Sequence, residues 1–125
     1  MLEVFRESGT FYENYAPEYP AAGNPAKSDF VGWSGLGPIA MLFEHVFGIH
    51  PDAANSRLTW NIRLLEAHGV RQYPFGKSGM LDIKCAARSN PREKPEVNVI
   101  SNTPLVLDVF WEGGHSVAKI SAKQK

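Results

Sequence analysis

The sequence has a single cysteine, Cys85, so the chain cannot form an internal disulfide. Cys85 alternates with Leu81, Ile83 and Ala87, which favours a small buried apolar side chain over a nucleophile. An excess of charge is also missing, since 13 basic residues balance 13 acidic ones. Neither sign gathers in a block of the kind that binds phosphate backbones or anionic lipid. We therefore expect neither nucleic acid nor a membrane as a partner.

Long hydrophobic runs are missing as well. The N-terminus reads MLEVFRESG, in which Leu2, Val4 and Phe5 are mixed with charged residues. A signal peptide or a membrane span needs a continuous apolar run, so the sequence favours a cytoplasmic location. The same three side chains match the last turns of an amphipathic helix that ends before Gly9.

Motifs for metal and cofactor binding are likewise missing. Glu44, His45, His50 and Asp52 are close in sequence, but a helix stop at Gly48 breaks their spacing. A histidine pair at i, i+4 and a glycine-rich phosphate loop are both lacking. We expect no metal and no cofactor.

What the sequence does contain is a long segment, residues 9–33, that is rich in aromatic rings. Its turn-forming residues are too dense for regular structure: Pro17, Pro20, Gly23, Asn24, Pro25 and Gly32. Its rings are Phe11, Tyr12, Tyr15, Tyr19, Phe30 and Trp33. Unstructured loops of this length are uncommon in compact domains and are usually functional. We therefore predict a functional loop.

Glu13 is the catalytic candidate in this loop. It lies between Tyr12 and Tyr15, whose rings could hold its carboxylate toward a substrate, as a general base requires. The alternative is a solvated glutamate beside tyrosines that only pack. On composition alone we favour the solvated glutamate, because exposed glutamates in loops are common and most have no catalytic role.

The aromatic rings are candidates for sugar binding. Flat rings can stack on the C–H faces of sugars while polar edges bind hydroxyls. Trp33 is the best of them, because it lies at the junction of loop and helix. For Phe11 and Phe30 we favour packing of the loop against a core.

The chain changes period after the loop. Four apolar residues recur at i, i+3, i+4 and i+7: Ile39, Leu42, Phe43 and Val46. This spacing predicts one helix over 36–47, with Ser34 as a cap and Gly48 as the stop. Further on, apolar and polar residues alternate over 58–64, 81–87, 97–99 and 105–111. Turn residues separate these strands at a spacing typical of an antiparallel sheet.

Three runs in the first third carry a resemblance to a known family: GTFYENYAP from Gly9, AGNPA from Ala22 and DFVGWSGLGPI from Asp29. Together they resemble the C-terminal part of six-hairpin glycosidases, the group of mannosylglycerate hydrolase, trehalase and processing α-glucosidase. A further run, LTWNIRLLEAHGV from Leu58, looks like the β tail of some members.

The resemblance implies an α+β fold: the tail of an (α/α) six-hairpin toroid followed by a small antiparallel β-sheet. Residues 1–54 would be the toroid piece, with a helix stump, the active-site loop and one clear helix, and 55–125 the β tail. It implies that Glu13 is the general base of an inverting hydrolysis of α-linked sugars. Tyr12, Tyr15 and Trp33 would then bind the sugar substrate.

The same resemblance places the general acid, an aspartate, upstream of this chain. Asp29 fits a loop-bracing role better. We therefore expect a fragment of a glycoside hydrolase that needs a missing upstream catalytic segment as its partner and is inactive alone. The alternative is a carbohydrate-binding or interaction module without catalysis.

Overall fold

A computed structural model of the chain describes residues 1–24, 26–27 and 31–123. The chain divides into two compact units, Met1–Leu42 and Phe43–Lys125. The boundary predicted after residue 54 falls in the short 3-10 turn Ala53–Asn55 of the second unit.

The first unit begins with helix α1, Leu2–Ser8. Gly9 ends this helix in the left-handed conformation at φ 72°, and its N–H donates to the Phe5 carbonyl over 2.8 Å. The sequence-based prediction of a helix ending before Gly9 is confirmed. A 3-10 turn, Gly32–Gly35, leads into helix α2, Leu36–Met41.

The predicted helix over 36–47 is confirmed for α2 and continues as a π-helical stretch, Leu42–Val46. Gly48 follows at φ 70° and ends it. A side chain at Gly48 would place its Cβ 2.0 Å from the Asn61 carbonyl oxygen. Gly48 therefore allows a close approach of two backbone segments that no other residue permits.

The second unit contains seven strands in two sheets. They are β1 Ile49–Asp52, β2 Arg57–Asn61, β3 His68–Phe75, β4 Gly79–Cys85, β5 Val97–Ser101, β6 Leu105–Trp111 and β7 Gly114–Ile120. The four-stranded sheet has the order β1-β2-β6-β7, and the three-stranded sheet has the order β3-β4-β5. The strands predicted from alternation at β2, β4, β5 and β6 are confirmed.

One hydrophobic core joins the inner faces of both sheets. Trp60 of β2 is fully buried there, and its indole N–H donates to the Phe47 carbonyl over 2.8 Å. Ile83 of β4 and Leu107 of β6 are buried in the same cluster. Cys85 is also buried, and burial raises the pKa of its thiol, an effect that the Arg88 charge partly opposes. The prediction that Cys85 is a buried apolar residue is confirmed.

Arg88 is a buried cation that holds several backbone segments together. Its guanidinium donates hydrogen bonds of 3.0–3.2 Å to four backbone carbonyls, those of Ile62, Leu64, Pro91 and Glu93. The two terminal nitrogens make all four bonds, whereas Nε is buried without a partner among the described residues. The buried charge is therefore compensated through its terminal nitrogens. The segments before β3 and before β5 are thus fixed to the core by one side chain.

The fold class implied by the family resemblance is wrong. The described residues contain two short α-helices of seven and six residues, against seven strands in two sheets. The chain is a small, mostly β, α+β protein and not the tail of a helical toroid. The physical reason is that a toroid needs long amphipathic helices in pairs, whereas α2 changes to a π-helix after one and a half turns and the following apolar residues alternate as strands.

The prediction of a single antiparallel sheet is also wrong. Strands β2 and β6 pair in parallel, with Leu58 opposite Leu107 and Trp60 opposite Val109. Between them the chain crosses to the other sheet and forms β3, β4 and β5 before it returns. Such a crossover allows neighbouring strands to run parallel. Alternation within a strand carries no information on this direction.

Candidate functional site

The aromatic loop of the first unit has little regular structure over its described residues. Tyr15 and Ala22 form an isolated antiparallel bridge. Hydrogen bonds of 3.0 Å from Ala16 N–H to the Ala21 carbonyl and from Gly23 N–H to the Asn14 carbonyl close a narrow turn around it. The sequence-based prediction of a long loop is confirmed, and backbone hydrogen bonds organise it.

Glu13 lies just before this turn, and its side chain is exposed. Its carbonyl oxygen accepts a hydrogen bond from the Ser34 hydroxyl, 21 residues further on. That bond joins the loop to the 3-10 turn Gly32–Gly35, which contains Trp33. The structure thus places the candidate base and the candidate sugar-binding ring on neighbouring segments, and it holds Glu13 by its backbone.

Tyr12 and Tyr15 contact each other edge to face, with ring centroids 6.3 Å apart and planes at 87°. The Tyr12 N–H donates to the Tyr15 hydroxyl oxygen over 3.0 Å. Both residues are half-buried. Each tyrosine therefore helps to set the conformation of the backbone on either side of Glu13.

Trp33 is the most exposed of the described rings, with 84% of its surface accessible. No described aromatic ring stacks on it, so its faces are open to a ligand. Tyr19 is also exposed, at 65%. Phe11, in contrast, stacks on Phe5 of α1 at 4.6 Å and 14°. It therefore packs, as predicted, but against a ring that is 40% exposed and not against the hydrophobic core. Phe30 and Asp29 lie outside the described residues.

Ser34 was predicted as a helix cap, and this prediction is wrong. Helix α2 begins after Gly35, without a side-chain cap. The Ser34 hydroxyl instead bonds the Glu13 carbonyl. The sequence contained one indirect sign of this contact, since both residues belong to runs that carry the family resemblance. It did not indicate that their side chain and backbone meet.

The carboxylates and histidines considered for a metal do not form a site among the described residues, where no cluster of three or more His, Cys, Asp or Glu side chains occurs. Asp52 accepts hydrogen bonds from the backbone and side chain of Asn55 and so holds a turn. Burial raises the pKa of Tyr73, and the negative charge of Glu44 raises it further.

A buried carboxylate in the second unit was missed by the sequence analysis. Asp108 of β6 lies 3.0 Å from an Arg57 guanidinium nitrogen and 3.4 Å from His115 Nε2. His115 stacks in turn on Phe110, with centroids 4.1 Å apart. The alternation of β6 marked Asp108 only as a polar residue, because its partners come from other strands. This cluster stabilises the four-stranded sheet.

Among the described helices, the longest and most apolar falls short of what a membrane crossing needs. Comparisons of the chain with family models, curated proteins and solved structures give no match.

Proposed function

We propose that the aromatic loop is a sugar-binding surface in which Glu13 acts as the general base of an inverting hydrolysis of α-linked sugars. The main support for this proposal is the hydrogen bond from the Ser34 hydroxyl to the Glu13 carbonyl. This bond joins the backbone of Glu13, whose carboxylate is exposed, to the turn that carries the exposed indole of Trp33. The resemblance of the loop to six-hairpin glycosidases supports the role of Glu13. The toroid that the resemblance implied is not part of the proposal.

Each residue has a distinct part in this chemistry. Glu13 takes a proton from the attacking water, and Trp33 stacks on the sugar ring. Tyr12 and Tyr15 fix the backbone around Glu13 through their mutual contact. Because the carboxylate is accessible, water can reach it.

An inverting hydrolysis also needs an acid that protonates the leaving oxygen, about 6.5–9.5 Å from the base. Glu18 belongs to the same loop and is exposed, and no contact among the described residues holds it opposite Glu13. The proposal therefore assigns the acid to residues outside the loop. A positioned proton transfer contributes about 10²–10⁴ in rate, so we expect no hydrolysis of ordinary α-glycosides by this chain.

Glycosyl fluorides provide the direct test of the base, because fluoride leaves without protonation. We expect the chain to accelerate hydrolysis of α-mannosyl or α-glucosyl fluoride with the β sugar as first product, observed by NMR. Glu13→Gln should lower that rate by about 10²-fold or more, since an amide accepts no proton from water. Glu18→Gln, a matched change in the same exposed loop, should leave the rate unchanged.

Two results would contradict the catalytic proposal. One is fluoride hydrolysis that is equal in the native chain and in Glu13→Gln. The other is retention of the α configuration in the product. Loss of sugar binding in Trp33→Ala without loss of fold would still support the sugar-binding surface.

A second function, sugar binding without catalysis, is favoured by one observation. Within the described part of the chain, no group donates a hydrogen bond to the Glu13 carboxylate, and the residue is exposed instead of enclosed. Catalytic carboxylates commonly lie in water-excluded sites. Sugar-induced NMR shifts at Trp33 that persist in Glu13→Gln, without turnover of either fluoride, would identify this binding module.

A further inference from the structure

The outer face of the three-stranded sheet carries a groove remote in sequence from the aromatic loop. Two adjoining clefts of about 370 and 450 Å³ share three lining residues, Gln72, Asp82 and Ile100. The clefts therefore form one continuous depression across strands β3, β4 and β5. All of its residues belong to the second unit.

A backbone irregularity shapes the centre of this groove. The pairing of β3 with β4 shifts register between Val70 and Tyr73, which is a β-bulge. Gln72 adopts φ 55°, a left-handed conformation that is unfavourable for a non-glycine residue. Its N–H donates to Asp82 Oδ1 over 2.8 Å, so a side chain from β4 holds the strained backbone in place. Bulges and strained backbone of this kind concentrate at binding sites.

Three cations surround the groove: Arg71, Lys84 and Lys123. Within residues 1–24, 26–27 and 31–123, none of the three forms an ion pair. The backbone of Lys123 is fixed beside β5 by its N–H, which donates to the Ser101 carbonyl over 2.8 Å. Against them stands one carboxylate, that of Asp82. The groove thus has an excess of two positive charges, although the whole chain is neutral.

The remaining lining combines free amides with an apolar strip. The side chains of Gln72 and Asn98 make no hydrogen bond to any described residue, so their donors and acceptors face solvent. Met80 and Ile100 are exposed at 43% and 39% and provide an apolar surface between them. Amides for hydroxyls, an apolar strip for C–H faces and cations for acidic groups are the elements of an acidic-sugar site.

We propose that this groove binds an acidic saccharide, a sugar chain that carries carboxylate or sulfate groups. Arg71, Lys84 and Lys123 bind the acidic groups, while Asp82 Oδ2, Gln72 and Asn98 take hydroxyl donors and acceptors. The positive excess argues for an anion independently of anything else. The choice of a saccharide rests on the function proposed above for the aromatic loop.

The test is an NMR titration of the whole chain with trigalacturonic acid, with the neutral maltotriose and with sodium sulfate. We expect trigalacturonate to shift the backbone signals of Gln72, Asp82 and Ile100, and to do so less strongly at high salt. Maltotriose should leave these signals in place. Sulfate alone should bind at least tenfold more weakly than trigalacturonate, because it lacks the hydroxyl and C–H contacts.

Lys84→Gln should weaken trigalacturonate binding about threefold to fivefold, the range for one exposed charge contact. Lys94→Gln, which changes the same residue type outside the groove, should have no effect. The unshifted amide spectrum and thermal midpoint of each variant would show that both are folded.

The proposal fails if trigalacturonate leaves the groove signals unmoved, or if Lys84→Gln and Lys94→Gln bind it equally. It also fails as a saccharide site if sulfate binds as tightly as trigalacturonate. Failure of the loop function is read separately, because it appears as Glu13-independent fluoride hydrolysis and as unmoved Trp33 signals. The groove titration depends on neither of those readouts.

Discussion

The second unit buries eleven apolar side chains in one core, whereas Val4 is the one apolar side chain that the described part of Met1–Leu42 buries. Each fully buried large side chain contributes about 1.5–3 kcal/mol to stability. The aromatic loop of the first unit therefore has little core of its own, and hydrogen bonds such as Ser34 to Glu13 hold it. The candidate active residues therefore lie where packing contributes least to stability.

Such a division is common where a binding segment must adjust to its ligand. Segments with few buried apolar contacts open locally at a small free-energy cost, while a packed core opens only with global unfolding. The proposed groove on the three-stranded sheet belongs to the packed unit. We therefore expect it to be preformed, in contrast to the aromatic loop, which ligand binding would order further.

The two tryptophans of contrasting exposure provide the sharpest test. Trp60 is completely buried, so Trp60→Ala should lower the free energy of unfolding by about 3–5 kcal/mol. Trp33 is 84% exposed, so Trp33→Ala should change it by less than about 0.5 kcal/mol. Urea denaturation of both variants measures the difference. Equal losses would mean that Trp33 is a packing residue and would end its role as a sugar-binding ring.

Arg88 tests whether polar contacts as well as apolar ones distinguish the second unit. Arg88→Met keeps much of the side-chain volume but leaves buried carbonyls without donors, and it should cost about 2–4 kcal/mol. Arg92 has 81% of its side chain exposed and pairs with Glu112 at 3.4 Å, so Arg92→Met should cost less than about 1 kcal/mol. Similar urea midpoints for the two variants would refute the structural role of Arg88.

The exposed apolar side chains of α2 test the first unit. Leu36, Ile39 and Met41 are exposed at 56%, 53% and 62%, so the native chain should bind a hydrophobic dye. Ile39→Gln combined with Met41→Gln should remove most of the dye fluorescence and alter the unfolding free energy by less than about 0.5 kcal/mol. Val117→Gln, at a valine exposed on β7, is the control and should leave fluorescence unchanged. A native chain without dye binding would show that these side chains are covered in solution.

The accuracy of the sequence-based predictions follows the same division. In β2, β4 and β6 one face enters the core, so apolar residues alternate and the strands could be predicted. The bulge at Gln72 breaks the period of β3, and β7 buries none of its side chains, so neither strand gave a signal. The parallel pairing of β2 with β6 depends on a crossover that local pattern does not encode.

The site could be predicted only at the level of residues. The loop offered four candidate residues: Glu13, Tyr12, Tyr15 and Trp33. In the structure, the hydrogen bond from Ser34 joins the backbone of Glu13 to the turn that contains Trp33. The role of Ser34 could not be predicted, because its bond spans 21 residues and a serine before a helix usually caps it. The groove could not be predicted because its three cations come from separate segments of the chain. The equal numbers of basic and acidic residues in the whole chain also hide this local excess of positive charge.

The smallest expected effect concerns an exposed carboxylate in the second unit, as a counterpart to Glu13. The hydroxyl and the backbone N–H of Ser89 each donate to Glu93 Oε2 over 2.7 Å. The bond from the Ser89 hydroxyl, and to a smaller degree that from its N–H, hold the pKa of Glu93 below its ordinary value. Since the native pKa is lowered, ionised Glu93 stabilises its turn above the ordinary glutamate range, and this contribution is lost as pH falls through the native pKa.

Ser89→Ala should raise the pKa of Glu93 part of the way back, because one donor remains. An NMR titration of the Glu93 side-chain carbon measures this shift, with Ser78→Ala as the control that should leave it unchanged. An unchanged Glu93 pKa in Ser89→Ala would show that exposed carboxylates are as loosely held in the second unit as in the aromatic loop, and the contrast between the units would then apply to their cores alone.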